Sequence, residues 1–218
     1  MHGPGISGEA FRFQRDVPAR IETPAWLPHE RGEPLEVYAK RMADTIDPTP
    51  PLYIGGVSFG GMVALEAARY LNPRAVLLIA SGYSGAHTHA ILHHILQPAT
   101  AHLPLWLFHL SRPILPAILR LAYITAPKQS RDLIVELFQH HCDFDNWRRG
   151  IAAISYWKFR GKLDMPVYHI HGHNDWLMPL DRVAPHAVVP GGPHLMNITH
   201  PEPVNEFLID RLTRYRSV

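Results

Sequence analysis

This chain of 218 residues is poor in the features that would indicate covalent cross-links or a strongly charged partner. Its single cysteine, Cys142, excludes a disulfide within the chain, and we expect a reducing compartment, the cytoplasm. Charged residues make up only 18% of the sequence, the net charge is +2, and no block of Lys and Arg occurs. Nucleic acid is therefore not an expected partner.

Long uninterrupted apolar runs are also missing. The most apolar stretch, residues 103–123, is broken by prolines and arginines, so we expect no stable membrane insertion. The first residues do not have the charged and apolar regions of a secretory signal. Hydrophobic residues nevertheless account for 46% of the chain, which indicates a globular domain with a substantial core.

The most informative stretch covers residues 51–71. Residues 52–57 form a short apolar run that is typical of a buried strand, and residues 59–71 carry apolar or small side chains at helical spacing. Glu66 and Arg69 are expected on the solvent side of that helix. The pentapeptide GVSFG at residues 56–60 lies between the two elements and fits the G-x-S-x-G pattern of a nucleophile elbow.

The residue types of this pentapeptide have a physical reason. A serine in a sharp strand-to-helix turn is expected to have a positive φ, and Gly56 and Gly60 give the turn room because they have no Cβ. The helix that begins at Phe59 directs free N–H groups toward the serine, so the Phe59 amide is a natural donor to an oxyanion. The alternative is a glycine-rich turn in which Ser58 has no chemical role.

Further strands are predicted by continuous apolar runs. Such runs occur at residues 75–80, 167–170 and 187–189, and residues 20–23 predict a weaker strand. Because continuous runs alternate with helical patterns, these strands should be buried on both faces of a parallel sheet.

The helical patterns divide the chain into two kinds of region. Helices are expected at residues 9–15, 34–46 and 202–215, and a short helix or turn at 181–185. Between residues 86 and 162 we find only helix-like pieces separated by prolines, which predicts a helical insertion. The pieces lie at residues 91–96, 106–110, 114–123, 132–141 and 147–159.

A serine nucleophile needs a base within hydrogen-bond reach and a third group that orients the base. Asp175 closely follows the strand at residues 167–170, and His194 follows the next strand. Loops at the carboxyl ends of parallel strands gather at one edge, so Ser58, His194 and Asp175 should meet there. The order serine, acid, histidine is that of one hydrolase architecture. The alternatives are a turn-capping aspartate and an ordinary loop histidine.

Other candidates for the same roles are weaker. His200 is expected at the start of the last helix, Asp164 precedes its strand and belongs at the wrong end of the sheet, and Asp145 is the second choice of acid. Cys142 beside His141 could suggest a thiol nucleophile. Adjacent residues on a helix point apart, however, so Cys142 is expected to be a small buried residue.

Several histidines are close together in the sequence and could be considered as metal ligands. No third ligand at a recognisable spacing fixes a site, so we expect neither a metal nor another cofactor. The histidine sets are His169, His171 and His173; His87 and His89; and His93 and His94.

Three motifs together resemble those of the α/β-hydrolase superfamily, in its esterase, lipase and peptidase branch. They are the elbow GVSFGG at residues 56–61, the run HGHNDWLMP at residues 171–179, which has the form HGxxDxxxP, and GPH at residues 192–194 followed by HPE at residues 200–202. The resemblance implies the α/β class, with a mostly parallel sheet flanked by helices. It implies a core of residues 1–85 and 163–218, a helical cap at 86–162, and a triad of Ser58, His194 and Asp175.

The resemblance also implies an oxyanion loop at the first residues of the chain. Donors would come from Phe59, His2 and Gly3, whereas Pro4 has no N–H. The family normally has two or more strands before this loop, so the N-terminal strands are missing here. Because an exposed sheet edge favours aggregation, we expect a preceding segment rather than a reduced sheet.

The expected activity is hydrolysis of a small-molecule carboxylic ester with an apolar acyl or alcohol part. The insertion is rich in Leu, Trp, Phe and Pro, which indicates either an apolar substrate pocket or simple packing of cap on core. An acyltransferase, a thioesterase or an aminopeptidase with the same triad, and a non-catalytic ligand-binding member of the fold, remain open alternatives.

Overall fold

The computed structural model describes residues 1–14, 16–49, 51–96, 99, 102 and 104–214. Its strands form one four-stranded sheet in the order β1-β2-β3-β4, and every neighbouring pair is parallel. The strands are β1 Ile54–Val57, β2 Val76–Ile79, β3 Val167–Gly172 and β4 Ala187–Val189. A parallel sheet flanked by helices is the α/β-hydrolase architecture that the sequence predicts.

The helices of the described residues precede, follow or connect these strands. They are α1 Leu35–Ala43, α2 Phe59–Leu71, α3 Leu105–Ser111, α4 Leu115–Ala122, α5 Lys128–His140, α6 Phe144–Ile154, α7 Met196–Thr199 and α8 Pro201–Thr213. Short 3₁₀ turns occur at Gly8–Phe11, Gly85–His87 and Leu180–Arg182, and a π-helical turn at Leu92–Leu96. No helix within the described residues is long and apolar enough to cross a membrane.

Strand β2 explains why the predicted strands read as continuous apolar runs. Successive side chains point to opposite faces of a sheet. Val76 and Leu78 pack in a cluster with α1 and α2, whereas Leu77 and Ile79 pack in a second cluster with α8. Helices therefore cover both faces, and every residue of β2 is buried.

The sheet edge at β1 is where one strand prediction is wrong. Residues 20–23 form no strand. They line a groove of about 750 Å³ beside β1, which separates them from the sheet and prevents a ladder. The backbone of Met1 occupies part of this edge instead: its terminal amino group donates to Gly55 O at 2.6 Å, and Val57 N–H donates to Met1 O at 3.0 Å. This is the bond pattern of a parallel neighbour, and it places the first loop beside the elbow.

Several predicted helices have different bounds. The helix expected at residues 9–15 is only the 3₁₀ turn Gly8–Phe11, and Arg15 is outside the described residues. The closing helix ends at Thr213, and Tyr215, where we expected its end, is likewise outside them. The turn expected at residues 181–185 is Leu180–Arg182.

The stretch between Gly85 and β3 is helical in its described part, and each of the five predicted pieces overlaps a helix there. Its two ends lie side by side, because Gly85 N–H donates to Trp157 O at 2.9 Å and Phe159 N–H donates to Tyr83 O at 2.8 Å. The division into a core and a cap at residues 86–162 stays a prediction.

Glu66 does not face solvent as expected. Its side chain is buried on α2, accepts a hydrogen bond from Trp157 Nε1 at 2.9 Å, and pairs with Arg69 Nε at 2.7 Å. The partner that buries it comes from a residue far away in the sequence, so helical spacing gave no indication of it.

Candidate active site

Ser58 lies at the turn between β1 and α2, with φ 55° and ψ −122°. The positive φ is the strained conformation that the pentapeptide predicts. A Cβ on Gly56 would lie 2.4 Å from the backbone carbon of Gly60, and a Cβ on Gly60 would lie 2.5 Å from the backbone oxygens of Met1 and His2. Only glycine fits at either position, so the sequence itself maintains this turn.

The hydroxyl of Ser58 is the first member of a hydrogen-bonded line. His194 Nε2 is 2.8 Å from Ser58 Oγ, and His194 Nδ1 is 2.7 Å from Asp175 Oδ2. Because the carboxylate can only accept, Nδ1 carries the proton and Nε2 accepts from the serine hydroxyl. The three side chains follow β1, β3 and β4, at the carboxyl ends of parallel strands.

Asp175 is buried and hydrogen-bonded on both carboxylate oxygens. Oδ1 accepts from Met178 N–H at 2.9 Å, and Oδ2 also lies 3.3 Å from His171 Nε2. Burial alone would raise the pKa of Asp175, but the facing charge of His194 and the hydrogen bonds from these donors lower the pKa below its usual range. The group therefore stays ionised and can hold an imidazolium.

His171 is a site residue that the sequence analysis did not assign. Its Nε2 is 2.8 Å from the carbonyl oxygen of Met178, so Nε2 must carry a proton, which also points toward Asp175. His169 Nε2 then donates to His171 Nδ1 at 3.1 Å. Burial lowers the pKa of His169 to about 3, so its ring is neutral. The motif HGxxDxxxP could have indicated this role, because its histidine, His171, faces its aspartate, Asp175.

The predicted oxyanion donors lie around the elbow. Within the described residues, the structure gives the Phe59 N–H no acceptor, and the Phe59 ring is buried against Trp26 and Tyr38. The His2 ring packs against Trp26, and His2 Nδ1 accepts from Trp26 Nε1 at 2.7 Å. The predicted oxyanion donors of this loop are its backbone N–H groups.

The first loop is held from its other side as well. Gly5 O accepts from Asp143 N–H at 2.9 Å, and Ile6 forms a bridge with Cys142. Gly5 has a φ of 65° and approaches the backbone of Asp143 closely. The loop is thus fixed between the elbow and the start of α6.

The competing candidates lie elsewhere. Asp145 pairs with Arg148 at 3.0 Å and Arg149 at 2.7 Å, and is not joined to His194. His200 lies at the start of α8, as expected, with Nδ1 2.9 Å from the hydroxyl of Thr199.

Two further candidates have little chemical potential. Asp164 precedes β3 and lies at the opposite end of the sheet from the triad. Cys142 is buried, and burial raises the pKa of its thiol to about 12, so it is not a thiolate near neutral pH. The part of the chain that the structure describes contains no group of three or more His, Cys, Asp or Glu side chains placed to hold a metal ion.

The groove beside β1 is separate from this site. It is lined by residues 17–24 and 51–56 and includes none of the triad side chains. The geometry of the three side chains, rather than the size of a cavity, therefore locates the candidate site.

Comparison with known families agrees with the fold. The pattern of the alpha/beta hydrolase family matches residues 1–207. The chain therefore belongs to the alpha/beta hydrolase family. Comparison with the sequences of curated proteins found no match.

Solved structures of the same fold cover almost all of the chain. A putative aryl esterase from Burkholderia cenocepacia has a TM-score of 0.69 and 16% identity, over 100% of this chain and 90% of that one. An enol-lactonase from Burkholderia xenovorans LB400 has a TM-score of 0.67 and 16% identity, over 97% of this chain and 89% of that one. A thermophilic esterase from Thermogutta terrifontis has a TM-score of 0.66 and 15% identity, over 98% of this chain and 88% of that one. At these identities, the likeness shows the fold.

Proposed function

We propose that the chain is a serine hydrolase that cleaves a carboxylic ester through an acyl-enzyme. The observation that carries this proposal is the unbroken line of hydrogen bonds from Ser58 Oγ through His194 to Asp175, with separations of 2.8 and 2.7 Å. Each group has the proton that its role requires: the serine donates, the imidazole accepts at Nε2, and the ionised carboxylate accepts from Nδ1.

In the first half of the reaction, Ser58 Oγ attacks the ester carbonyl carbon while its proton passes to His194 Nε2. The carbonyl oxygen becomes an oxyanion, which the Phe59 N–H and a backbone N–H of His2 or Gly3 would stabilise. Asp175 stabilises the imidazolium and keeps the ring in the required orientation. The C–O bond then breaks, and His194 returns its proton to the leaving alkoxide.

In the second half, a water molecule takes the place of the alcohol. His194 Nε2 removes a proton from the water, whose oxygen attacks the acyl carbon. The bond to Ser58 Oγ breaks, the serine recovers the proton, and the carboxylic acid leaves. Atoms balance with ester and water alone, so the proposal requires no cofactor.

The substrate class is an ester with an apolar acyl or alcohol part. The predicted cap at residues 86–162 is rich in Leu, Trp and Phe, which suits such a group. Two of the solved structures of this fold are named esterases and one an enol-lactonase, names that also concern ester bonds.

The test is hydrolysis of a series of p-nitrophenyl esters with short and long acyl chains. We expect release of p-nitrophenol by the wild type, a loss of about 10⁴-fold or more for Ser58→Ala, and a similar loss for His194→Ala. Ser155→Ala is the matched control, because Ser155 is also buried but directly follows α6, where its hydroxyl donates to Ile151 O. Equal rates for the wild type and Ser58→Ala would contradict the proposal.

A non-catalytic binding protein is the second candidate, and one observation favours it. Pro4 follows His2 and Gly3 and removes one N–H from the first loop, which leaves fewer possible donors to the oxyanion. Losing one such donor typically costs about 10²–10³ in rate. Reaction of Ser58 with an activated probe, without turnover of any ester, would support this candidate.

Transfer of the acyl group to an added alcohol instead of water would identify an acyltransferase.

A further inference from the structure

Apolar side chains cover the outer side of α3, α4 and the turn after α4, a surface that the proposed reaction does not use. Six large apolar side chains there are more than half exposed, and we call them the cap surface. They are Trp106, Leu110, Ile114, Ile118, Leu121 and Ile124. They lie on two consecutive helices and the turn that follows, and contiguous exposed apolar surface marks a site of interaction on a globular chain.

The spacing in α4 shows that these side chains share a face. Ile114, Ile118 and Leu121 follow one another at intervals of four and three residues, which places them side by side along a helix. On the opposite face, Leu115 and Leu119 pack against the cluster that contains α5. A helix that is apolar on both faces is normally covered on both, and within the described residues the outer face is open to solvent.

The charged residues of the segment that carries the cap surface, residues 67–131, are all basic, and the first carboxylate after them, Asp132, lies close enough to interact with Arg120. No Asp or Glu occurs between residues 67 and 131, although the chain has 19 of them elsewhere. Arg112 and Arg120 lie among the six apolar side chains and are themselves exposed. An apolar face with cations and an aromatic ring, and without carboxylates, complements a bilayer that contains anionic lipid.

The same charge pattern disfavours a second copy of the chain as the partner. In a symmetric dimer, the same patch from each copy would meet. The arginines of both copies would then be brought together, and residues 67–131 supply no carboxylate to offset them, while Asp132 just beyond already pairs with Lys128 of its own copy. Phosphate groups at a lipid surface provide the missing negative charge.

We propose that the cap surface binds peripherally to a bilayer containing anionic phospholipid. The six apolar side chains enter the boundary between headgroups and acyl chains, and Arg112 and Arg120 pair with lipid phosphates. The inference goes beyond the proposed function and does not rest on it.

The experiment is flotation of the full chain with vesicles of phosphatidylcholine alone and of phosphatidylcholine with phosphatidylglycerol. We expect the chain to float with the anionic vesicles, and salt to weaken the binding because it screens the arginines. Ile118→Glu should reduce the floated fraction at least about tenfold. It removes apolar area that the bilayer would bury, and it adds a negative charge that anionic lipid repels. Quenching of Trp106 fluorescence by brominated lipid, absent in Trp106→Phe, would locate the contact.

Val37→Glu is the matched control. Val37 is 50% exposed on α1 and Ile118 is 53% exposed on α4, so the same substitution is made at similar exposure away from the cap surface. Val37→Glu should float like the wild type. Flotation of Ile118→Glu equal to that of the wild type would overturn the proposal, as would no flotation of the folded wild type. A dimer in solution that Ile118→Glu dissociates would assign the surface to a second copy and overturn it as well.

Discussion

Replacing His171 with leucine tests whether the triad carboxylate needs a second histidine. The leucine keeps much of the apolar bulk but removes the Nε2–H that lies 3.3 Å from Asp175 Oδ2 and 2.8 Å from Met178 O. Asp175 then keeps its bonds from His194 and from Met178 N–H, but has lost a donor that fixed its orientation. We expect the carboxylate, and with it the imidazole, to be positioned less well for proton transfer.

The expected size of the effect follows from the geometry. A hydrogen bond to a charged group contributes about 1.5–3 kcal/mol. The hydrogen bond from His171 to Asp175 is long, and its donor is shared with the Met178 carbonyl, so the low end of this energy range applies. A loss of about 1.4 kcal/mol in the transition state corresponds to about a tenfold lower kcat. KM should hardly change, because no substrate contact is removed. The unfolding free energy should also fall by about 1–3 kcal/mol, because His169 Nε2–H and the Met178 carbonyl lose a buried partner.

The assay is steady-state kinetics on whichever ester the wild type cleaves, together with urea unfolding. His171→Gln places an amide nitrogen near the original Nε2, so it should recover most of kcat. His173→Leu is the control, because His173 is exposed in the same loop. Unchanged kcat in folded His171→Leu, or a His171→Gln variant as slow as His171→Leu, would refute the positioning role.

Three other predictions concern stability. In Gly60→Ala, the new Cβ would lie 2.5 Å from two backbone oxygens of the first loop, so we expect about 1–3 kcal/mol lower stability and loss of the proposed esterase activity. An unchanged melting temperature would be contrary evidence. Trp157→Phe removes the 2.9 Å bond to buried Glu66 and should cost about 1–3 kcal/mol in urea unfolding, whereas a neutral effect would mean that this bond is dispensable. His169 has a pKa of about 3 when folded and about 6.5 when unfolded. On acidification the unfolded chain therefore binds a proton at His169 before the folded chain does. The unfolding free energy should decrease as the pH is lowered from about 6.5 to about 3, by up to about 1.4 kcal/mol per pH unit. His169→Gln should make the fall less steep, and an identical slope would show that the imidazole does not bind a proton on unfolding.

Much of the core could be predicted because its signals are local. The glycines of the elbow, the apolar runs and the helical spacing after Ser58 depend only on neighbouring residues, and α2 has the predicted bounds. The parallel direction of the strands was predicted from continuous apolar runs such as β2. Ser58, His194 and Asp175, chosen because each follows a strand, are the side chains that the fold brings together.

The features that were missed depend on distant contacts. Glu66 is buried because Trp157 reaches it from the far side of the helical stretch. Residues 20–23 have a strand-like composition, but a groove separates them from β1, and Met1 occupies part of that edge instead. The contact of His171 with the acid arises from the turn after β3, which returns Asp175 to the strand end. None of these contacts leaves a periodic pattern in the sequence.

The most direct test of the account is reaction with a fluorophosphonate, followed by intact mass measurement and peptide mapping. The wild type should gain a single adduct on Ser58, Ser58→Ala should gain none, and His194→Ala should react far more slowly, because its serine has lost its base. Equal labelling of the wild type and Ser58→Ala would contradict the assignment of Ser58 as an activated nucleophile.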